Sequence, residues 1–173
     1  MSAQPAAERA LQDATTRCCD ALRERAASIV TAESCTAGLI AKQLTDVGGS
    51  SAWYDRGFVT YSNAAKTDLL GVDAALIDTH GAVSQAVARA MAAGALVRSS
   101  ASIAVAVTGI AGPGGAVQGK PVGTVWIAWA SRSGSMVEHL HHFDGDRQTV
   151  RARAAAAALE GICNLVMSET PGS

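Results

Sequence analysis

Apolar residues first recur at helical spacing over residues 6–27, where Leu11, Cys18 and Leu22 share one face with Ala14 and Ala21 beside them. The short run Ser28-Ile29-Val30-Thr31-Ala32 is partly β-branched and predicts a strand. It leads into Glu33-Ser34-Cys35-Thr36-Ala37-Gly38, where Ser34 or Thr36 is suited to cap a helix running through Leu39, Ile40 and Leu44 to Val47, ended by Gly48 and Gly49. Residues 54–62 alternate as a strand, with Phe58 and Thr60 on one side and Val59 and Tyr61 on the other. Asn63 is placed to cap a short helix that carries Lys66 and closes at Gly71, and a second small helix spans residues 73–77. Ser84 then caps an alanine-rich helix through Val97, with Val87, Met91, Ala95 and Leu96 facing inward.

Residues 102–108 (SIAVAVT) form a nearly unbroken apolar run, the pattern of a central strand buried on both faces. Residues 109–123 contain six glycines and two prolines, Pro113 and Pro121, and predict a loop of special backbone geometry. Residues 124–131 (TVWIAWAS) and 136–143 read as a hairpin turning at Ser133-Gly134. A last helix opens near Asp146 and runs to about Met167, with Val150, Ala154, Ala158, Ile162 and Leu165 facing in. Helices alternating with about five strands predict an α/β fold, a three-layer α/β/α sandwich with a mixed, mostly parallel sheet. No composition break or repeat divides the chain, so one domain over residues 1–173 is expected, with its core at about 6–167.

Composition narrows the function. The chain has 173 residues, 49% hydrophobic and 17% charged, which suits a packed globule. A net charge of −1 leaves no basic surplus for nucleic acid. No apolar run approaches the roughly 20 residues that span a bilayer, and residues 1–9 are polar and alanine-rich rather than signal-like. Cys18, Cys19, Cys35 and Cys163 form no Cys-x-x-Cys pair, which fits a reduced, cytoplasmic protein with neither nucleic-acid nor membrane partners. Of fourteen basic residues only Lys42, Lys66 and Lys120 are lysines, so each raises the question of why arginine was not used.

Four clusters fit chemistry, and each also has an ordinary structural reading. Ser50 and Ser51 follow Gly48-Gly49, and Tyr61 and Lys66 come after them. A serine on a glycine turn has an accessible hydroxyl and nearby N–H groups, and a buried lysine can act as its base where an arginine cannot. The ordinary reading is a helix-capping serine and a solvated lysine. Glu33, Ser34, Cys35 and Thr36 stand where a strand end meets a helix start, which suits ligand binding as well as simple capping. The glycines 109, 112, 114 and 115 after Thr108 let the backbone approach a ligand or merely turn, and match neither a Walker A loop nor the dinucleotide fingerprint. Arg147 opens the last helix against its macrodipole, a conflict that a bound anion would remove; Arg151 and Arg153 fit a solvated face.

His139, His141 and His142 share one strand without an evident third ligand, which reads as an exposed edge rather than a metal site. Trp53, Trp126 and Trp129 read as core or interface aromatics, with Trp53 close to the Ser51 cluster.

Taken in order, TAESCTAG from Thr31, GSSAWYDRGFVTYSN from Gly49, Lys66, HGAVS from His80, TGIAGP from Thr108 and KPVGTV from Lys120 closely resemble the CinA C-terminal domain family. The resemblance spans roughly residues 6–167. It implies a three-layer α/β/α homo-oligomer, a dimer or larger, that hydrolyses nicotinamide mononucleotide to nicotinate mononucleotide and ammonia with no metal or organic cofactor. Carried over by motif, Ser51 matches the nucleophile, Lys66 the base and Tyr61 a supporting hydroxyl, with Ser34 as the other candidate nucleophile. Glu33, Ser34, Thr108, Gly109, Gly112 and Arg147 are expected around the nucleotide. Ala37 stands where many members carry glycine, a change expected to leave the helix entry intact. The alternatives are a non-catalytic nucleotide-binding module and an amidase acting on another small amide.

Overall fold

The computed structural model describes residues 3–169. Helix α1 (Ala3–Glu24) is followed by β1 (Ile29–Glu33), α2 (Leu39–Asp46), a 3-10 turn at Ser50–Ala52 and β2 (Tyr54–Val59). Helices α3 (Asn63–Leu70), α4 (Ala74–His80) and α5 (Gln85–Val97) lead to β3 (Ile103–Gly109). The hairpin β4 (Thr124–Ser131) and β5 (Met136–His142) precedes α6 (Arg147–Ser168). Among the described residues no helix is long and apolar enough to cross a membrane.

The five strands lie in the order β2-β1-β3-β4-β5. β1 runs parallel to both β2 and β3, while β4 is antiparallel to β3 and to β5. Only β4 is therefore reversed, which is the mixed, mostly parallel sheet that the alternation predicts.

Alternation along β3 divides the two faces. Ile103, Val105 and Val107 point toward α1 and α6, in a core shared with Leu11, Leu22, Trp53, Trp129 and Ile162. Each large aliphatic side chain buried there contributes about 1.5–3 kcal/mol. Ala104 and Ala106 point the other way and join Ala128 and Ala130 as a floor beneath Ala88, Ala92 and Ala95 of α5. Small residues on both sides bring that helix close to the sheet. Where α5 meets α3, a Cβ on Gly94 would stand 2.0 Å from the Leu70 carbonyl oxygen, so the contact excludes any side chain.

Several ends differ from expectation. α1 stops at Glu24 rather than Ala27, because Ala26 turns left-handed (φ 49°) and Ala27 N–H bonds back to the Leu22 carbonyl. Ser62, not Asn63, caps α3 by accepting from Ala65 N–H at 3.0 Å. Neither Ser34 nor Thr36 caps α2. Its N-cap is Gly38 (φ 90°), preceded by Ala37 at φ 51°, so the alanine that departs from the family's glycine occupies a left-handed position. Asp73, Ser84 and Asp146 cap α4, α5 and α6, each accepting a backbone N–H.

The tryptophans are structural. Trp53 and Trp129 donate to the Leu44 and Ala158 carbonyls inside the α1/α6 core, and Trp126 packs against the α5 side. His139 and His142 are exposed on β5, but His141 is half-buried, stacked on Phe143 at 5.0 Å, and burial pushes its pKa down.

Candidate active site

After β1 the chain crosses by α2 to β2 on one side, then returns by α3, α4 and α5 to β3 on the other. Connections that diverge in this way leave a crevice beyond the carboxyl ends of β1 and β3, the usual ligand position in open α/β sheets. A cavity of about 260 Å³ opens there. Ser34 and Cys35 line it from the end of β1, Tyr61, Asn63 and Lys66 from beyond β2, and Ala82 and Val83 from the approach to α5. The glycine-rich segment after β3 and Arg147 at the start of α6 complete the wall.

At its floor lies Lys66, only 1% exposed. Its Nζ is 3.1 Å from Ser34 Oγ and donates to the Thr60 carbonyl at 2.9 Å. Among the described residues no carboxylate forms an ion pair with it. An ammonium enclosed without a counter-charge is costly, and burial accordingly lowers the Lys66 pKa, opposed by a smaller effect of Cys35. The result is a lysine shifted toward its neutral, basic form within hydrogen-bond reach of a serine.

Two features leave Ser34 free for that contact. Its own N–H remains in the sheet ladder, bonded to the Val107 carbonyl at 2.9 Å. Capping of α2 falls instead to Glu33, whose Oε2 accepts from Gly38 and Ile40 N–H at 3.0 and 3.1 Å and whose Oε1 accepts from Ala41 N–H at 2.8 Å. A carboxylate is favoured at that position by the helix dipole as well as by the three bonds.

The expected pairing of Ser51 with Lys66 is corrected by this geometry. Ser51 belongs to an exposed turn that precedes β2, whereas Lys66 follows β2. Traversing the six residues of that strand at ~3.3 Å each places the Ser51 turn roughly 17–20 Å away, at the opposite end of the sheet. The backbone N–H groups around Gly49 lie at that same distant end, as does Trp53, so neither borders the cavity.

Glu33 is also corrected as a substrate contact: it is buried and committed to α2, and it does not line the cavity. The other expected residues converge. Arg147 Nη1 donates to the Gly112 carbonyl at 2.7 Å and Nη2 to Tyr61 Oη at 2.9 Å, so Tyr61 is held by the arginine rather than by Lys66. Thr108 Oγ1 donates to the Ala82 carbonyl at 2.8 Å. Gly109 has no room for a side chain, since a Cβ would meet Val125 at 2.7 Å, and Gly112 adopts φ 83°.

The Thr60 carbonyl, Asn63 as a lining residue, and Ala82 and Val83 join the site without a signal in the sequence that singles them out. A backbone acceptor and two small apolar residues carry no local signature; Asn63 was legible as a polar group at a helix start but reads equally well as a cap. Cys35 is a small buried side chain at the edge of the cavity, and burial pushes its thiol up to about 12.

Comparison with known proteins agrees with the motifs. The family profile of the CinA C-terminal domain matches residues 11–166. The nicotinamide-nucleotide amidohydrolase PncC of Escherichia coli (strain K12) is 49% identical over 150 residues, covering 87% of this chain and 91% of that protein. PncC of Pseudomonas putida is 52% identical over 150 residues, covering 87% and 93%. The crystal structure of the competence/damage inducible protein CihA from Agrobacterium tumefaciens superposes with a TM-score of 0.87 at 46% identity, covering 90% of this chain and 95% of that one. With the fold, the ordered motifs and the matched span in agreement, the chain belongs to the CinA C-terminal domain family.

Proposed function

We propose that this protein is an amidohydrolase that converts nicotinamide mononucleotide to nicotinate mononucleotide and ammonia, with Ser34 as nucleophile and Lys66 as its base. The observation that carries the reading is the 3.1 Å contact between Ser34 Oγ and a buried lysine whose pKa is lowered, inside the cavity. Relatives named nicotinamide-nucleotide amidohydrolase at about half identity support this choice of substrate.

In this mechanism the Thr60 carbonyl takes one N–H of neutral Lys66 and turns its lone pair toward Ser34. Lys66 removes the hydroxyl proton as Oγ attacks the carboxamide carbon. Backbone N–H groups of the turn after β1 and of the glycine-rich segment stabilise the developing oxyanion. The ammonium of Lys66 returns its proton to the departing nitrogen, releasing ammonia and an ester on Ser34. Water, deprotonated by the same lysine, then hydrolyses that ester and regenerates the hydroxyl. Arg147, pre-oriented by Gly112 and Tyr61 at the N-terminus of α6, holds the nucleotide phosphate.

The test is ammonia release from nicotinamide mononucleotide in metal-free buffer by wild type, Ser34→Ala, Lys66→Ala and Ser51→Ala. Turnover in wild type and Ser51→Ala with loss in the other two is expected. Full activity in Ser34→Ala would overturn the nucleophile. Nucleotide binding without any release by wild type would leave a binding module instead.

A further inference from the structure

Two of the sequence motifs, HGAVS from His80 and KPVGTV from Lys120, have no part in the chemistry above, and the structure brings them together. Lys120 Nζ donates to the His80 carbonyl at 3.0 Å. His80 is the last residue of α4, where exposed carbonyls and the helix dipole favour a cation. The next residue, Gly81, adopts φ 77°, and a Cβ built on it would stand 3.1 Å from the ammonium, so the lysine lies against bare backbone.

The stem that carries the lysine is fixed. Lys120 and Val117 exchange two backbone hydrogen bonds of 2.9 and 3.1 Å, and the Pro121 carbonyl accepts from both the N–H and the hydroxyl of Thr124 at the start of β4. On the other side of Gly81, the Ala82 carbonyl is held by Thr108 at the end of β3. The wall formed by Ala82 and Val83 is thus tied twice, once to the sheet and once to the glycine-rich loop that lines the same cavity. Between these ties the loop runs through Gly112, whose carbonyl Arg147 holds, and Gly115, both at positive φ.

We propose that Lys120 is a positioning residue that fixes the width of the cavity by anchoring the loop over residues 109–123 to the wall over residues 80–83. Its substrate readout rests on the amidohydrolase reading; its conformational readout does not. The lysine touches neither the reacting atoms nor the phosphate grip, so its loss weakens binding of ground state and transition state alike.

The test compares wild type with Lys120→Met, which keeps the chain length and removes the donor, Lys120→Arg, which restores a donor, and Lys42→Met as an exposed control on α2. For Lys120→Met with nicotinamide mononucleotide, KM rises about tenfold with kcat within about twofold, and Lys120→Arg recovers most of the change. Hydrogen exchange at the amides of Val117, Lys120 and Gly123 accelerates about tenfold in Lys120→Met and not in Lys42→Met. An unchanged KM, or a fall in kcat at constant KM, overturns the proposal. If wild type releases no ammonia, the amidohydrolase reading fails separately and exchange decides: wild-type rates in Lys120→Met overturn the anchor, and faster rates establish it.

Discussion

Two serine-bearing turns flank the same short helix, and they have opposite surroundings. Ser34 follows β1, keeps its N–H in the sheet and meets a buried lysine, while Ser51 sits in an exposed 3-10 turn that feeds β2. Locally the Ser51 turn looks the more reactive, having two glycines before it and a loop's accessibility. What separates them is strand direction. A turn that leaves a parallel strand opens at the ligand-binding end of the sheet, and one that enters a strand lies at the other.

The largest expected difference between the turns is catalytic. Ser34→Ala should lower kcat by at least ~10³-fold, as removal of a nucleophile does, whereas Ser51→Ala should stay within about twofold; steady-state ammonia release measures both. An equal loss in the two variants would erase the distinction. Lys66→Arg comes next, with an expected loss of ~10²–10³-fold in kcat, because arginine stays protonated and cannot serve as base. Near-normal turnover in that variant would remove Lys66 from the chemistry.

Glu33→Gln tests what keeps Ser34 free. The amide would set an NH2 group against one of the backbone N–H donors now facing a carboxylate, costing about 1–3 kcal/mol in urea unfolding. A neutral result would mean that the three bonds to α2 are dispensable.

A pH series sharpens the role of Lys66. With its folded pKa lowered from 10.5, the unfolded chain binds the extra proton between the two values. The stability of wild type relative to Lys66→Met should therefore rise with pH in that window, by about 1.4 kcal/mol per unit at most, and flatten above the unfolded value. Activity should respond at the lower edge of that window: kcat/KM climbs as pH rises toward the folded value and levels off above it, where the base is deprotonated. Denaturant midpoints that track each other across the window would contradict the depressed pKa. The smallest effect is expected at Ala37: replacing a left-handed alanine by glycine should stabilise the chain by ~0.5–1 kcal/mol in thermal or urea unfolding, and destabilisation would show that the turn is not strained.

Much of the fold was legible because burial writes a period into the chain. The all-apolar β3, the hairpin turning at Gly134 and the cap at Ser84 each follow from local pattern. The candidate site was legible in membership more than in arrangement. Lys66, Tyr61, Thr108, Gly109, Gly112 and Arg147 do meet around one cavity, yet the serine beside the lysine is Ser34, the second candidate, and not Ser51. Residue spacing along the chain says how far apart two groups are in sequence and nothing about which end of a sheet each occupies. The order of strand and turn did hold that information: Ser34 follows its strand and Ser51 precedes one. Glu33 was hidden for a different reason, since its cap acts at helix amides five to eight residues away, beyond the usual sequence signature of an N-cap.

The alanine floor beneath α5 sets a limit on how this scaffold can diverge. Ala104, Ala106, Ala128 and Ala130 facing Ala88, Ala92 and Ala95 leave no slack for a larger side chain, and Gly94 is closed off by Leu70. A helix seated this tightly cannot shift to reshape the cavity wall that leads into it. Adaptation to a bulkier or slimmer ligand therefore falls to lining residues off that helix, such as those between Gly81 and Ser84, the glycine-rich loop, and Tyr61 and Asn63 beyond β2, while the helix serves as the anvil.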